Sequence, residues 1–180
     1  RAYADTLVGG LNDAILALMD LPVPVIGRVQ GPVTGGALGF LLACDVVAMA
    51  PESFVQPYYV QVGFSPDGGW TALLPDRIGA AKAREIQLLN RRIGAAEAAQ
   101  LGLATALAAP ADLDQTIDAW LEILIKNRPA ATASSKRLLW SPQRRGAVAA
   151  GLEAEERMVI DLIDTAEAES GMAQFLRKSA

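Results

Sequence analysis

The chain has 180 residues, 52% of them apolar and 20% charged, and a net charge of −4. That length supports one domain with a sizeable core, and the balance excludes a disordered chain. No long basic stripe is present, so nucleic acid is excluded as a partner. The first predicted element is a helix over 3–20, where Leu7, Leu11, Ile15 and Leu18 form one apolar stripe that Leu21-Pro22 ends. A buried strand follows over 25–29, then a Gly31-Pro32 turn, a small-residue loop through Gly35-Gly36, and a helix over 36–44. That helix is apolar all round, hence buried. A second strand is predicted over 46–50 and an irregular segment over 57–63. Asp67 is read as the start of another helix, with Gly68-Gly69 in its first turn.

Helices over 80–90 and 95–101 come next, the second capped by Gly102, and then a short strand over 104–108. From Leu113 onward the pattern is helical: 113–126, 130–140, 145–164 and 166–178. Strands alternating with helices, then helices alone, predict an α/β core over 1–111 and a helical subdomain over 112–180.

Residue types narrow the chemistry. Without histidine the chain has no Ser-His-Asp or Cys-His machinery, and most zinc chemistry is removed with it; no metal site is expected. Acids and bases must come from carboxylates, tyrosine, lysine or bound water. The single cysteine, Cys44, lies in an apolar helix and reads as a buried structural thiol. The longest uncharged run, Val29 to Cys44, is shorter than the ~20 residues of a membrane span and holds four glycines, so no membrane partner is expected. No signal-peptide pattern is visible, and a cytoplasmic location is the expectation.

The strand, glycine loop and helix over 24–45 carry the most information. Gly35 and Gly36 let a ligand approach the backbone, and the helix start has N–H groups without partners. Such a place can stabilise a developing oxyanion.

The run VQGPVTGGALGFLLACD resembles the enoyl-CoA hydratase/isomerase (crotonase) superfamily, whose members carry a strand, an N-G-x-x-x-G-G-G-type loop and a helix ending in A-C-D. The likeness continues through VGFSPDGGWTALLPDRIG, AREIQLL, AAEAAQLGLA, SKRLL and MAQFLRK, across nearly the whole chain. It implies a spiral core of repeated ββα turns with a C-terminal helical part that packs in a homotrimer or dimer of trimers. It also implies that several N-terminal strands, part of the CoA site and the first of two oxyanion donors lie outside this stretch. The substrate implied is an acyl-CoA thioester, with CoA as part of the substrate and no separate cofactor.

The resemblance places the oxyanion N–H at Gly36, with Gly35 beside it; the third glycine of the triplet is Ala37 here. The two hydratase glutamates fall at Gly39 and Tyr59, so both carboxylates are missing, and a phenol is a poor base at neutral pH. Asp67 stands where isomerase-type members with a P-D-x-G pattern use an acid. Residue by residue it is either that acid or a helix N-cap. Tyr58, Tyr59, Phe64 and Trp70 are either an apolar setting for Asp67 and a flat acyl group, or ordinary core aromatics. Arg177 and Lys178 match a basic residue near the chain end that helps hold the CoA phosphates.

Three functions follow. The leading one is an enoyl-CoA double-bond isomerase with Asp67 as acid and base. The second is another reaction on the same scaffold: a hydratase with an unusual base, or a ring-closing lyase resembling the dihydroxynaphthoyl-CoA synthases, whose S-F-D-G-G-W run is one residue shorter than here. The third is a CoA-binding scaffold without turnover.

Overall fold

A computed structural model describes the backbone of residues 1–179 and the side chains of residues 1–177. The chain opens with helix α1 (Ala2–Asp20), then strands β1 (Ile26–Val29) and β2 (Pro32–Thr34) and helix α2 (Ala37–Ala43). The same order repeats in β3 (Val46–Met49), β4 (Phe54–Gln56) and α3 (Tyr59–Val62). Next come α4 (Leu74–Ile78), α5 (Ala80–Leu88), β5 (Ile93–Gly94), α6 (Ala95–Gln100) and β6 (Ala106–Leu107). Helices α7 (Leu113–Leu124), α8 (Pro129–Leu139), α9 (Pro142–Leu162) and α10 (Ala166–Ser179) close the described chain.

The strands form two three-stranded sheets, β1-β3-β6 and β2-β4-β5. β1 pairs parallel to β3, with Ile26 opposite Val46, and β2 pairs parallel to β4, with Pro32 opposite Phe54. Each strand-strand-helix turn thus adds one strand to each sheet, which is the expected ββα spiral. β4 pairs antiparallel to β5. The short strands β2, β4 and β5 are not expected from the sequence. With two or three residues each, they are too brief to show a period of two.

The core joins Ile15 and Met19 of α1, Leu38, Leu41 and Leu42 of α2, Val47 and Met49 of β3, and Trp70, Leu73, Leu74, Ile86 and Ile93. Val148 and Leu152 of α9 belong to the same cluster. Two expectations are corrected. In α1 the buried stripe is Ala4, Val8, Asn12, Ile15 and Met19, whereas Leu7 is 59% exposed. In α2 Phe40 is 42% exposed. Both helices carry a second apolar face, and those faces meet at the cavity described below.

Lys136 of α8 ties the C-terminal helices to the first strand. Its buried Nζ donates to Val23 O at 3.0 Å and to Asp45 Oδ2 at 2.7 Å, and the same carboxylate oxygen accepts from Val25 N–H at 2.7 Å.

Candidate active site

β2 delivers the chain to Gly35, whose φ is +54°, and Gly36 then caps α2. Among the described residues nothing accepts a hydrogen bond from the Gly36 N–H, while the Gly36 carbonyl accepts from Gly39 N–H at 3.1 Å. The loop is held from behind. Trp70, 1% exposed, donates its indole N–H to Gly35 O at 2.8 Å.

Asp67 reaches the same place from another part of the chain. Residues 68–73 form turns, and the next helix starts at Leu74, so Asp67 does not begin a helix as expected and is not an N-cap. Gly68 and Gly69 both have positive φ, at 61° and 88°, which reverses the chain where a helix would have continued it. A Cβ on Gly68 would stand 2.6 Å from Gly36 Cα, so the two backbones touch. A Cβ on Gly36 would stand 3.2 Å from Asp67 Oδ1. The carboxyl group therefore lies beside Gly36.

A cavity of about 670 Å³ opens onto this pair. Gly36, Ala37, Phe40 and Asp67 form one wall, and Leu7 and Leu11 stand among the α1 residues of the other. The stripe read from the sequence as core-facing is in part the wall of this cavity.

Tyr59 lies behind Asp67. Its hydroxyl donates to Asp67 Oδ1 in a short hydrogen bond and to Asp67 O at 3.2 Å. Burial, with the Asp67 charge beside it, pushes the phenol far above its ordinary range, so it stays a donor. Burial also raises the Asp67 carboxyl above the usual carboxylate range, and the hydrogen bond from Tyr59 opposes this. A shift in this direction favours use of the group as a proton donor.

The other aromatic residues singled out from the sequence lie off the cavity wall. Trp70 acts through Gly35. Phe64 packs partly buried against the core. Tyr58, at φ 64°, turns its ring edge toward Phe175 of α10, with centroids 5.3 Å apart, and its N–H donates to Asn90 Oδ1 at 2.7 Å. The structure thus gathers Gly35, Gly36, Tyr59, Asp67 and Trp70 into one network and leaves Tyr58 and Phe64 outside it. Arg177 is exposed on α10, and the side chain of Lys178 lies outside the described residues.

The two hydratase positions are occupied otherwise. At Gly39 a Cβ would run into Ile15 and stand 2.7 Å from Gly68 O, so no side chain fits there. Tyr59 serves Asp67. Glu52 is exposed in a turn after β3.

Sequence reasoning missed Glu155 of α9. It is 4% exposed, and its carboxylate accepts from Gly69 N–H at 2.7 Å, from the Thr71 N–H and hydroxyl at 2.6 Å each, and from Ala72 N–H at 3.0 Å. Burial raises its pKa, and these donors oppose the rise. Its partners lie more than 80 residues away in sequence, so no local signal marked it.

The family model described as "Enoyl-CoA hydratase/isomerase" matches residues 2–180. A Bacillus subtilis protein whose name carries the words "enoyl-CoA hydratase/isomerase YngF" is 31% identical over 163 residues, covering 90% of this chain and 62% of that protein. A Rhodobacter capsulatus protein named "Probable enoyl-CoA hydratase" is 30% identical over 162 residues, covering 90% of this chain and 63% of its own length. The chain thus spans under two thirds of these relatives. Among solved structures, an enoyl-CoA hydratase from Mycobacterium avium subsp. paratuberculosis superposes with a TM-score of 0.90 at 28% identity, over 97% of this chain and 71% of that one. An enoyl-CoA hydratase/isomerase from Pseudoalteromonas atlantica gives 0.84 at 27% identity, over 91% and 66%. No helix among the described residues is long and apolar enough to cross a membrane.

Proposed function

The chain belongs to the enoyl-CoA hydratase/isomerase family, and on that premise we propose that the protein shifts a double bond in an acyl-CoA thioester, with Asp67 carrying the proton. One observation carries this: the Asp67 carboxyl and the unpaired Gly36 N–H face one apolar cavity, beside each other. With a 3-enoyl-CoA, the Asp67 carboxylate takes a proton from C2. The C–H electron pair moves into a dienolate whose charge rests on the thioester oxygen. Gly36 N–H donates to that oxygen, a contact typically worth ~3–4 kcal/mol. The protonated Asp67 then returns the proton to C4, giving the 2-enoyl-CoA and restoring the carboxylate. Nothing else is consumed.

The acyl group takes the apolar cavity between α1 and α2. Arg177 and Lys178 are the proposed phosphate-binding pair. A homotrimer or dimer of trimers would cover exposed leucines such as Leu88, Leu89, Leu138 and Leu139.

Hydration is the second reading, favoured by the hydratase names of relatives such as that from Rhodobacter capsulatus. In it Asp67 activates a water, since no carboxylate stands at either glutamate position. The test incubates the full-length protein with a 3-enoyl-CoA and a 2-enoyl-CoA in deuterated water and follows products by mass. Double-bond migration, abolished in Asp67→Asn, supports the isomerase, and the deuterium content at C4 reports how far the proton on Asp67 exchanges with solvent before it is returned. Water addition supports the hydratase. CoA binding without turnover, unchanged in Asp67→Asn, means a scaffold.

A further inference from the structure

The mechanism above makes no use of one buried carboxylate, that of Glu155. Among the described residues it has no cation partner. A buried charge is tolerated only when donors surround it. Here all four donated hydrogen bonds come from a single short stretch, Gly69 to Ala72.

α9 does not need Glu155 to dock. Val148 and Leu152 place it in the main core, and Asn12 of α1 donates to Leu152 O at 3.3 Å and to Glu156 Oε2 at 2.9 Å. The carboxylate instead holds the stretch that follows Asp67. That stretch touches the site at three points. Gly68 lies against the Gly36 backbone, Gly68 O lies against Gly39, and Trp70 donates to Gly35 O.

We infer that Glu155 is a positioning residue for the active site: by gathering the N–H groups of Gly69, Thr71 and Ala72 it sets the distance between the Asp67 carboxyl and the Gly36 N–H. The C-terminal helix α9 is thereby part of the catalytic geometry, although no atom of Glu155 lines the cavity. This rests on the proposed role of Asp67 and Gly36. Its structural half, control of the Gly35–Gly39 loop from α9, is open to a test that needs no substrate.

The test compares Glu155→Gln, Thr71→Val and Val159→Ala in the full-length protein. Val159 is a buried α9 residue outside the Glu155 network, so Val159→Ala serves as a control for stability alone. Thr71→Val removes one donor at an exposed position and guards against a Glu155→Gln protein that does not fold. Two quantities are read: amide hydrogen exchange at Leu38 and Gly39, whose N–H groups bond within the loop, and kcat and KM on the enoyl-CoA that is turned over. Glu155→Gln is expected to speed exchange at both amides and to lower kcat about ten- to a hundredfold, with KM within about threefold. Thr71→Val is expected to do the same more weakly, and Val159→Ala to lower Tm without either effect.

Unchanged exchange at Leu38 and Gly39 in Glu155→Gln and Thr71→Val overturns the inference. So does a loss of kcat that Val159→Ala reproduces at equal Tm. If the wild-type protein turns over neither thioester, the functional reading falls, and the exchange rates still decide whether Glu155 controls the loop.

Discussion

The hydroxyl of Tyr59, which does not line the cavity, donates to Asp67 Oδ1, so it serves the only carboxyl group on the cavity wall among the described residues. Two opposing influences set the pKa of Asp67. Burial raises it, and the hydrogen bond from the phenol lowers it.

Tyr59→Phe removes the lowering influence alone. Asp67 then becomes a weaker acid, so the acid limb of the kcat/KM profile moves to higher pH. A pH–rate series on the variant checks this. A limb that stays put or moves down would separate the catalytic base from Asp67.

Asp67 also makes folding depend on pH. Its folded-state pKa is raised above the unfolded value, so the native state is favoured most at pH below the unfolded pKa. That advantage is lost as pH rises through the folded value. Asp67→Asn does not titrate and keeps an oxygen for Tyr59. The variant should gain on the wild type from about pH 4 upward, by about 1.4 kcal/mol for each tenfold change in proton affinity, and then level off. Urea titrations at several pH values measure it. A variant that falls behind the wild type as pH rises contradicts the assignment.

Gly39 leaves no room for a side chain. The Cβ position meets Ile15 and the Gly68 carbonyl oxygen, and the second is backbone that cannot rotate away. Gly39→Ala is expected to destabilise the fold by about 1–3 kcal/mol through overpacking. Chemical denaturation of Gly39→Ala checks the cost. An unchanged midpoint would mean that α2 and the Gly68 turn separate readily.

Lys136→Met breaks the buried link among α8, Val23 and Asp45. Removing one partner of a buried pair leaves the other uncompensated, which typically costs 3–5 kcal/mol; because the Asp45 side chain is 25% exposed, about 2–4 kcal/mol is expected. The urea midpoint measures the loss. A shift below about 0.5 kcal/mol would class the link with surface ion pairs.

Much of this was legible in the sequence because it is local. The strand over 25–29, the helix after Gly36 and the helices from Leu113 onward follow from periodicity and punctuation within short windows. Gly36 stood out because a glycine loop before a helix is a local pattern, and Asp67 because its P-D-x-G run resembles that of isomerase-type members. The helix expected at Asp67 failed for a tertiary reason: Gly68 and Gly69 adopt left-handed backbone, and the stretch closes on Glu155 of α9 instead of on itself.

The residue order by itself determined the alternation of elements, the family's loop and the absence of both hydratase glutamates, since each is a matter of which side chain stands where. Only the tertiary structure decided which face of α1 is core and which is cavity wall, that Tyr59 backs Asp67, that Trp70 holds Gly35 and that Glu155 ties down the turn after Asp67. Those relationships depend on distances between residues far apart along the chain. Such distances are set by how the two sheets and α9 pack, which no local pattern of residues encodes.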